Sequence, residues 1–70
     1  MSKIQKADEL GKIKLFLKDG NILVGQSYGI EYEEDDDGNE TNVEMLAFVP
    51  TFMDNGFYLK EEQIDKVEMA

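Results

Sequence analysis

The residues with the clearest potential for chemistry lie mid-chain, in the run EEDDDGNETNVE from Glu33 to Glu44. Read as a twelve-residue loop, it places acids at positions one, three and five, glycine at six and glutamate at twelve. That spacing approaches the oxygen-ligand pattern of an EF-hand calcium site, in which carboxylates and one backbone carbonyl surround a hard cation. Other chemistry is scarce. The 70 residues contain no cysteine and no histidine, so disulfides, thiolate metal sites and the commonest general base are all excluded. Carboxylates are plentiful, but Asp35, Asp36 and Asp37 read as solvated, whereas a general acid needs a buried, shifted carboxyl. The sequence therefore carries no catalytic constellation and no cofactor motif, and an enzyme is not expected.

The charge balance narrows the partners. Formal net charge is −9, with no arginine. Residues 1–20 hold five lysines (Lys3, Lys6, Lys12, Lys14, Lys18) against three acids, and the remaining residues hold two lysines against thirteen acids. Counterion release at cationic side chains gives most of the affinity for nucleic acids, so direct nucleic-acid binding is not expected. No segment approaches the roughly 20 apolar residues that span a bilayer. The opening MSKIQKADELGK lacks the apolar stretch of a secretion signal, and a cytoplasmic location is expected.

The elements that must position these residues follow from local pattern. In the segment 1–11, Ser2 and Gln5 have capping-box spacing and Gly11 suits a helix end, with Ile4, Ala7 and Leu10 as a thin apolar stripe. From residue 12 onward the period becomes two. Ile13, Leu15 and Leu17 alternate along a first strand, Asp19-Gly20-Asn21 turns the chain, and Ile22 to Val24 begin a second strand. Gly25 marks a bulge or bend, and Tyr28, Ile30 and Tyr32 form a third strand. Val43 to Val49 reads as a more deeply buried fourth strand ended by Pro50, Asp54-Asn55-Gly56 as a turn, and Phe57 to Leu59 as a short strand. A single turn at 60–63 then leads to a last strand at 64–69. One domain over 1–70 is expected: a mostly β, five-stranded bent-sheet barrel behind a short N-terminal helix.

That context decides the calcium question. An EF-hand needs a helix on each side of its loop, and both flanks here read as strands. Glu33 replaces the usual aspartate at position one, and Glu40 stands where an apolar residue pairs with a neighbouring hand. The expectation is a β-hairpin turning at Asp37-Gly38, its acids discouraging edge-to-edge aggregation.

The run Leu17-Lys18-Asp19-Gly20-Asn21-Ile22-Leu23-Val24-Gly25 resembles the L-x-x-G-x-x-h-x-G core of the Sm and Sm-like family, where h is apolar. FYLKEEQIDKVE resembles that family's closing hairpin. The resemblance implies an SH3-like bent barrel and assembly into rings by edge-strand pairing, here assigned to strands 43–49 and 64–69. It does not carry RNA binding across. Glu31 and Glu34-Asp35 stand where the family's base-reading segment would lie, and Lys60-Glu61 replaces its Arg-Gly turn.

The aromatic residues Phe48, Phe52, Phe57 and Tyr58 gather around Pro50 and read as core, with Phe52 in the loop as the exception. Met45 is expected to fill core gaps, and Met53 to extend any exposed patch beside Phe52. Phe52 and Asp35, Asp36 and Asp37 are thus the candidate partner-binding residues. The function expected is a non-enzymatic acidic interaction and assembly module with a protein partner, either as a homo-oligomer through those strands or as a monomer whose edges are blunted by Glu44, Asp65, Lys66 and Glu68. The alternative is a nucleic-acid mimic whose carboxylates imitate phosphates in a basic protein's groove.

Overall fold

The computed structural model describes residues 2–70. Met1, included in the helical segment expected over 1–11, lies outside the described residues. A helix α1 (Lys3–Leu10) precedes five strands: β1 (Lys12–Leu17), β2 (Ile22–Glu34), β3 (Glu40–Pro50), β4 (Phe57–Lys60) and β5 (Ile64–Met69), with a 3₁₀ turn at Glu61–Gln63. All five form one antiparallel sheet in the order β4-β3-β2-β1-β5. The expected mostly β chain with an N-terminal helix is what forms. Among the described residues no helix is long and apolar enough to cross a membrane.

One face of the sheet is the core. Ile13 and Leu15 of β1, Leu46 and Phe48 of β3, Leu59 of β4 and Ile64 and Val67 of β5 pack with Ile4 and Ala7 of α1 in one buried cluster. Leu59 and Val67 come from opposite margins of the sheet. In a flat sheet those strands would lie four spacings, about 19 Å, apart, so the sheet must curl to bring them into one core. Closure stops there. The outer edges of β4 and β5 do not pair, and α1, touching β1, β2, β3 and β5, covers the curled face. The expected barrel is therefore an open, helix-covered sheet.

Two glycines shape the pairing of the long strands. The segments expected as separate strands at 22–24 and 28–32 are one strand, β2, whose register against β3 slips between Ser27 and Ile30. The extra residue is accommodated where Gly29 takes φ 116°, a region open to glycine. Gly25 is no bulge. A Cβ there would meet the Val49 carbonyl, and would sit 2.7 Å from Pro50 Cα and 2.9 Å from Phe48 Cζ, so β2 and β3 close tightly only because it has none.

The helix is fastened at both ends. Ser2 accepts from the Gln5 amide at 3.1 Å and Gln5 Oε1 from the Ser2 amide at 3.3 Å, completing the capping box. Glu61 reaches across from the 3₁₀ turn, its two oxygens accepting from the Lys3 and Ile4 amides at 3.0 and 3.1 Å. A carboxylate there meets the positive end of the helix dipole as well as its orphan donors. At the other end the Gly11 carbonyl accepts from the Ser27 amide at 2.8 Å, and the Ser27 hydroxyl donates to Asp8 at 3.0 Å.

Two expectations about packing are overturned. Segment 43–49 is no edge. Its residues Met45 to Phe48 pair with β2 on one side and β4 on the other, so the open margins are β4 and β5. Tyr58 and Met45 also leave the core. Period-two alternation puts Leu46, Phe48 and Leu59 inward, so Met45, Ala47 and Tyr58 must point to the other face. Tyr58 is 55% exposed, and Phe57, although it meets Phe48 edge to face at 6.0 Å, remains exposed at the margin.

Replacing Glu61 by alanine leaves two helix amides without partners. It is expected to lower unfolding stability by about 1–2 kcal/mol in a urea titration. An unchanged midpoint would show that Glu61 does not hold α1 in place.

Candidate functional site

Beyond the reach of β1 and β4, the far parts of β2 and β3 continue as a two-stranded arm. β1 pairs with β2 only as far as Gln26, and β4 pairs with β3 only over Met45–Phe48. Residues 31–44 thus have no strand on either side, and the molecule extends 37 Å along its longest axis. The arm carries eight carboxylates (Glu31, Glu33, Glu34, Asp35, Asp36, Asp37, Glu40, Glu44) and no lysine.

Its tip repeats the chemistry of the first hairpin. In both, an Asp-Gly-Asn run turns the chain. The Gly20 amide donates to the Leu17 carbonyl and the Leu17 amide to the Asn21 carbonyl; Gly38 with Asp35, and Asp35 with Asn39, do the same. Gly20 (φ 95°) and Gly38 (φ 83°) take the left-handed position that ends this three-residue loop. The flanks that an EF-hand requires as helices are strands. Asp35 is moreover committed to the turn, its Oδ1 accepting from the Asp37 and Asn39 amides at 3.0 and 2.9 Å. Among the described residues no group of three or more carboxylates is placed to hold a metal ion. All three predicted acids are exposed at the tip, and Asp35 also braces the turn.

At the base of the arm the outward face forms a shallow depression of 570 Å³, lined by Ile30, Glu31, Tyr32, Glu34, Gly38, Glu40, Met45 and Tyr58. The sheet register builds it. Glu31 lies opposite Met45, Glu34 opposite Glu40, and Tyr58 opposite Ala47. The Glu31 carboxylate beside Tyr58, acting as acceptor for the hydroxyl and as a negative charge, raises the phenol's pKa above the ordinary tyrosine value. Glu34 and Glu40 face each other as like charges, which works against the hairpin. The nearest cation on β4, Lys60, is engaged with Glu33 at 3.0 Å.

On the other side of Tyr58 lies a smaller hollow of 220 Å³ at the free edge, lined by Ala47, Phe48, Val49, Gly56, Phe57 and Tyr58. Gly56 makes it possible, since a Cβ would sit 2.7 Å from Val49 Cγ2. The predicted contact residue Phe52 is 98% exposed, with Met53 half exposed beside it, but its loop stands apart from the acid-lined depression. The opposite margin differs. On the outward face of β1 and β5, Lys14 and Lys66 flank the Phe16 ring at 5.3 and 5.5 Å. Glu68 pairs with Lys66 at 2.7 Å and raises its pKa, while its own falls for the same reason.

Sequence reasoning placed Asp35, Asp36 and Asp37 at a hairpin tip and Phe52 in solvent, and missed the Glu31–Tyr58 pair and the open β4 margin. The missed signal was the alternation in FYLK, where an inward Leu59 obliges Tyr58 to face out.

Two outcomes follow from this geometry. Glu40→Thr removes the like-charge pair at a β-favourable position and should raise thermal stability slightly, by tenths of a kcal/mol, in a melting experiment; a loss would show that the pair is not repulsive. In a phenolate absorbance titration Tyr58, identified by its loss in Tyr58→Phe, should ionise above the ordinary tyrosine range, and Glu31→Gln should bring it down. Because the folded pKa is raised, this pair's contribution is complete below the unfolded tyrosine pKa and disappears as pH rises through the folded one. No family model, characterised protein or solved structure matches this chain.

Proposed function

We propose that the chain is a non-enzymatic interaction module that acts on protein partners by pairing strands along the two open edges of its sheet. The observation that carries this reading is the sheet order itself, in which β4 and β5 each have one strand neighbour and an outer side with no strand on it, the Lys60 amide of β4 being capped by Gln63 Oε1 at 2.8 Å. Such edges are templates for another strand. β5 is blunted by Asp65, Lys66 and Glu68, whereas β4 carries exposed Phe57 and Tyr58. The simplest assembly joins β4 of one copy to β5 of the next, a head-to-tail contact that closes into a ring or continues as a filament. The Sm-like resemblance in residues 17–25 supports the same mode, with β4 replacing segment 43–49.

Copies that each carry −9 repel one another, and salt screens that repulsion. In light scattering behind a sizing column, self-pairing is expected to give masses above the 8.0 kDa of one chain, increasing from low to high salt. A mass of one chain at every salt and protein concentration would overturn edge self-pairing.

The second reading, an acidic nucleic-acid mimic, is favoured by the arm, whose eight carboxylates project without a lysine among them. Salt separates the two readings. A mimic's hold on a basic protein weakens as salt rises, and weakens again in Asp36→Asn/Asp37→Asn, while edge pairing persists under both changes.

A further inference from the structure

We infer that the β4 edge receives an extended segment of a partner protein that alternates apolar residues with lysine or arginine. This rests on the edge-pairing reading and names the strand that the edge prefers. A strand added beside β4 continues the sheet, and every second side chain of it falls on the outward face, about 7 Å apart. Two hollows share Tyr58 as a wall. One is apolar and opens at the margin itself, between Ala47, Val49 and Tyr58 of the outward face and Phe48, Gly56 and Phe57 at the rim; the other lies on the outward face, rimmed by Glu31, Glu34 and Glu40 over Met45. An incoming strand can thus place an apolar side chain in the first and a cation two residues on in the second.

The charges near this edge agree. Asp54 precedes β4, Glu61 and Glu62 follow it, and Glu31, Glu33, Glu34, Glu40 and Glu44 lie on the arm beside it. The one lysine of β4 is already engaged with Glu33. A cation placed among these groups would also relieve the facing Glu34 and Glu40, neither of which forms an ion pair among the described residues. A second copy's β5 fits this edge less well. It brings Asp65 and Glu68, and its one lysine is held by Glu68. Self-pairing at β4 therefore needs salt, and a basic strand does not.

The test is fluorescence anisotropy of a labelled peptide alternating valine and lysine, titrated with the full chain at low salt. A twin peptide with glutamate in place of lysine, and backbone amide exchange of β4, complete it. Saturable binding of the lysine peptide alone, with slowed exchange at Phe57–Lys60, is expected. Glu31→Gln/Glu34→Gln/Glu40→Gln, which removes three partly exposed pairings, should weaken it about tenfold. Asp36→Asn/Asp37→Asn at the distant tip should leave it unchanged. An equal loss in both variants would reduce the effect to general acidity and overturn the proposal. So would binding of the glutamate peptide, unchanged β4 exchange, or no saturable binding. None of these results would bear on the masses seen by light scattering, so the edge reading stands or falls separately.

Discussion

The structure depends on how one curled sheet, with a single apolar face, is covered by an eight-residue helix. Among the described residues there is no second sheet and no barrel closure to keep water from Leu15, Leu46 and Phe48. So short a helix does not hold itself together in water, and its order has to come from docking. Ile4 and Ala7 supply the burial. Glu61 and Ser27 supply the direction, one satisfying amides at the helix start and the other fastening the Gly11 carbonyl at its end. Both anchors reach the helix from distant parts of the chain. Helix, sheet and 3₁₀ turn thus form one cooperative unit, with little of it able to persist alone.

The legible parts of this fold are those whose causes are local. Ser2, Gln5 and Gly11 mark the helix ends because capping spans only a few residues, and the two Asp-Gly-Asn turns announce themselves through glycine's access to positive φ. What escaped was set by contacts between distant residues. Gly25 looks the same in sequence whether it makes a bulge or lets Val49 and Pro50 approach, and only the register of β3 decides. Tyr58 and Met45 carry enough apolar area for a core, but each stands next in its strand to a member of the inward pair Leu46–Leu59, and alternation turns them outward. Segment 43–49 is apolar enough for either an edge or a centre. Its place between β2 and β4 is a property of topology, to which hydrophobic pattern is blind. For the candidate site, the acids were visible as charge, while their grouping around Tyr58 required knowing which residues face one another.

The arm and the two edges share an origin in chain length. β2 and β3 are much longer than the strands beside them, so their surplus must project as a ribbon. A two-stranded ribbon is marginal in water. This one is stitched by its turn and by Thr41, whose hydroxyl donates to the Glu33 carbonyl at 2.7 Å and accepts from the Val43 amide at 3.1 Å. The short β4, in turn, ends opposite Met45, leaving the flank of β3 open beyond that point, and sets Tyr58 as a post between an apolar and an acidic hollow.

Charge then separates the two margins in kind. At β5, lysines and acids neutralise one another, with Lys66 held by Glu68 and Lys14 resting over Phe16. At β4 the acids outnumber the cations, and among the described residues Glu34 faces Glu40 with no ion pair to either. Generic solubility would be served by acids spread anywhere on the surface, with no need to oppose two of them across a ribbon that has few other contacts to hold it. Their concentration beside the open strand instead sets a sign at the edge. Like charge there opposes the approach of another acidic copy until salt screens it and favours a strand of opposite sign, so the pairing proposed for this edge would be governed by the same carboxylates.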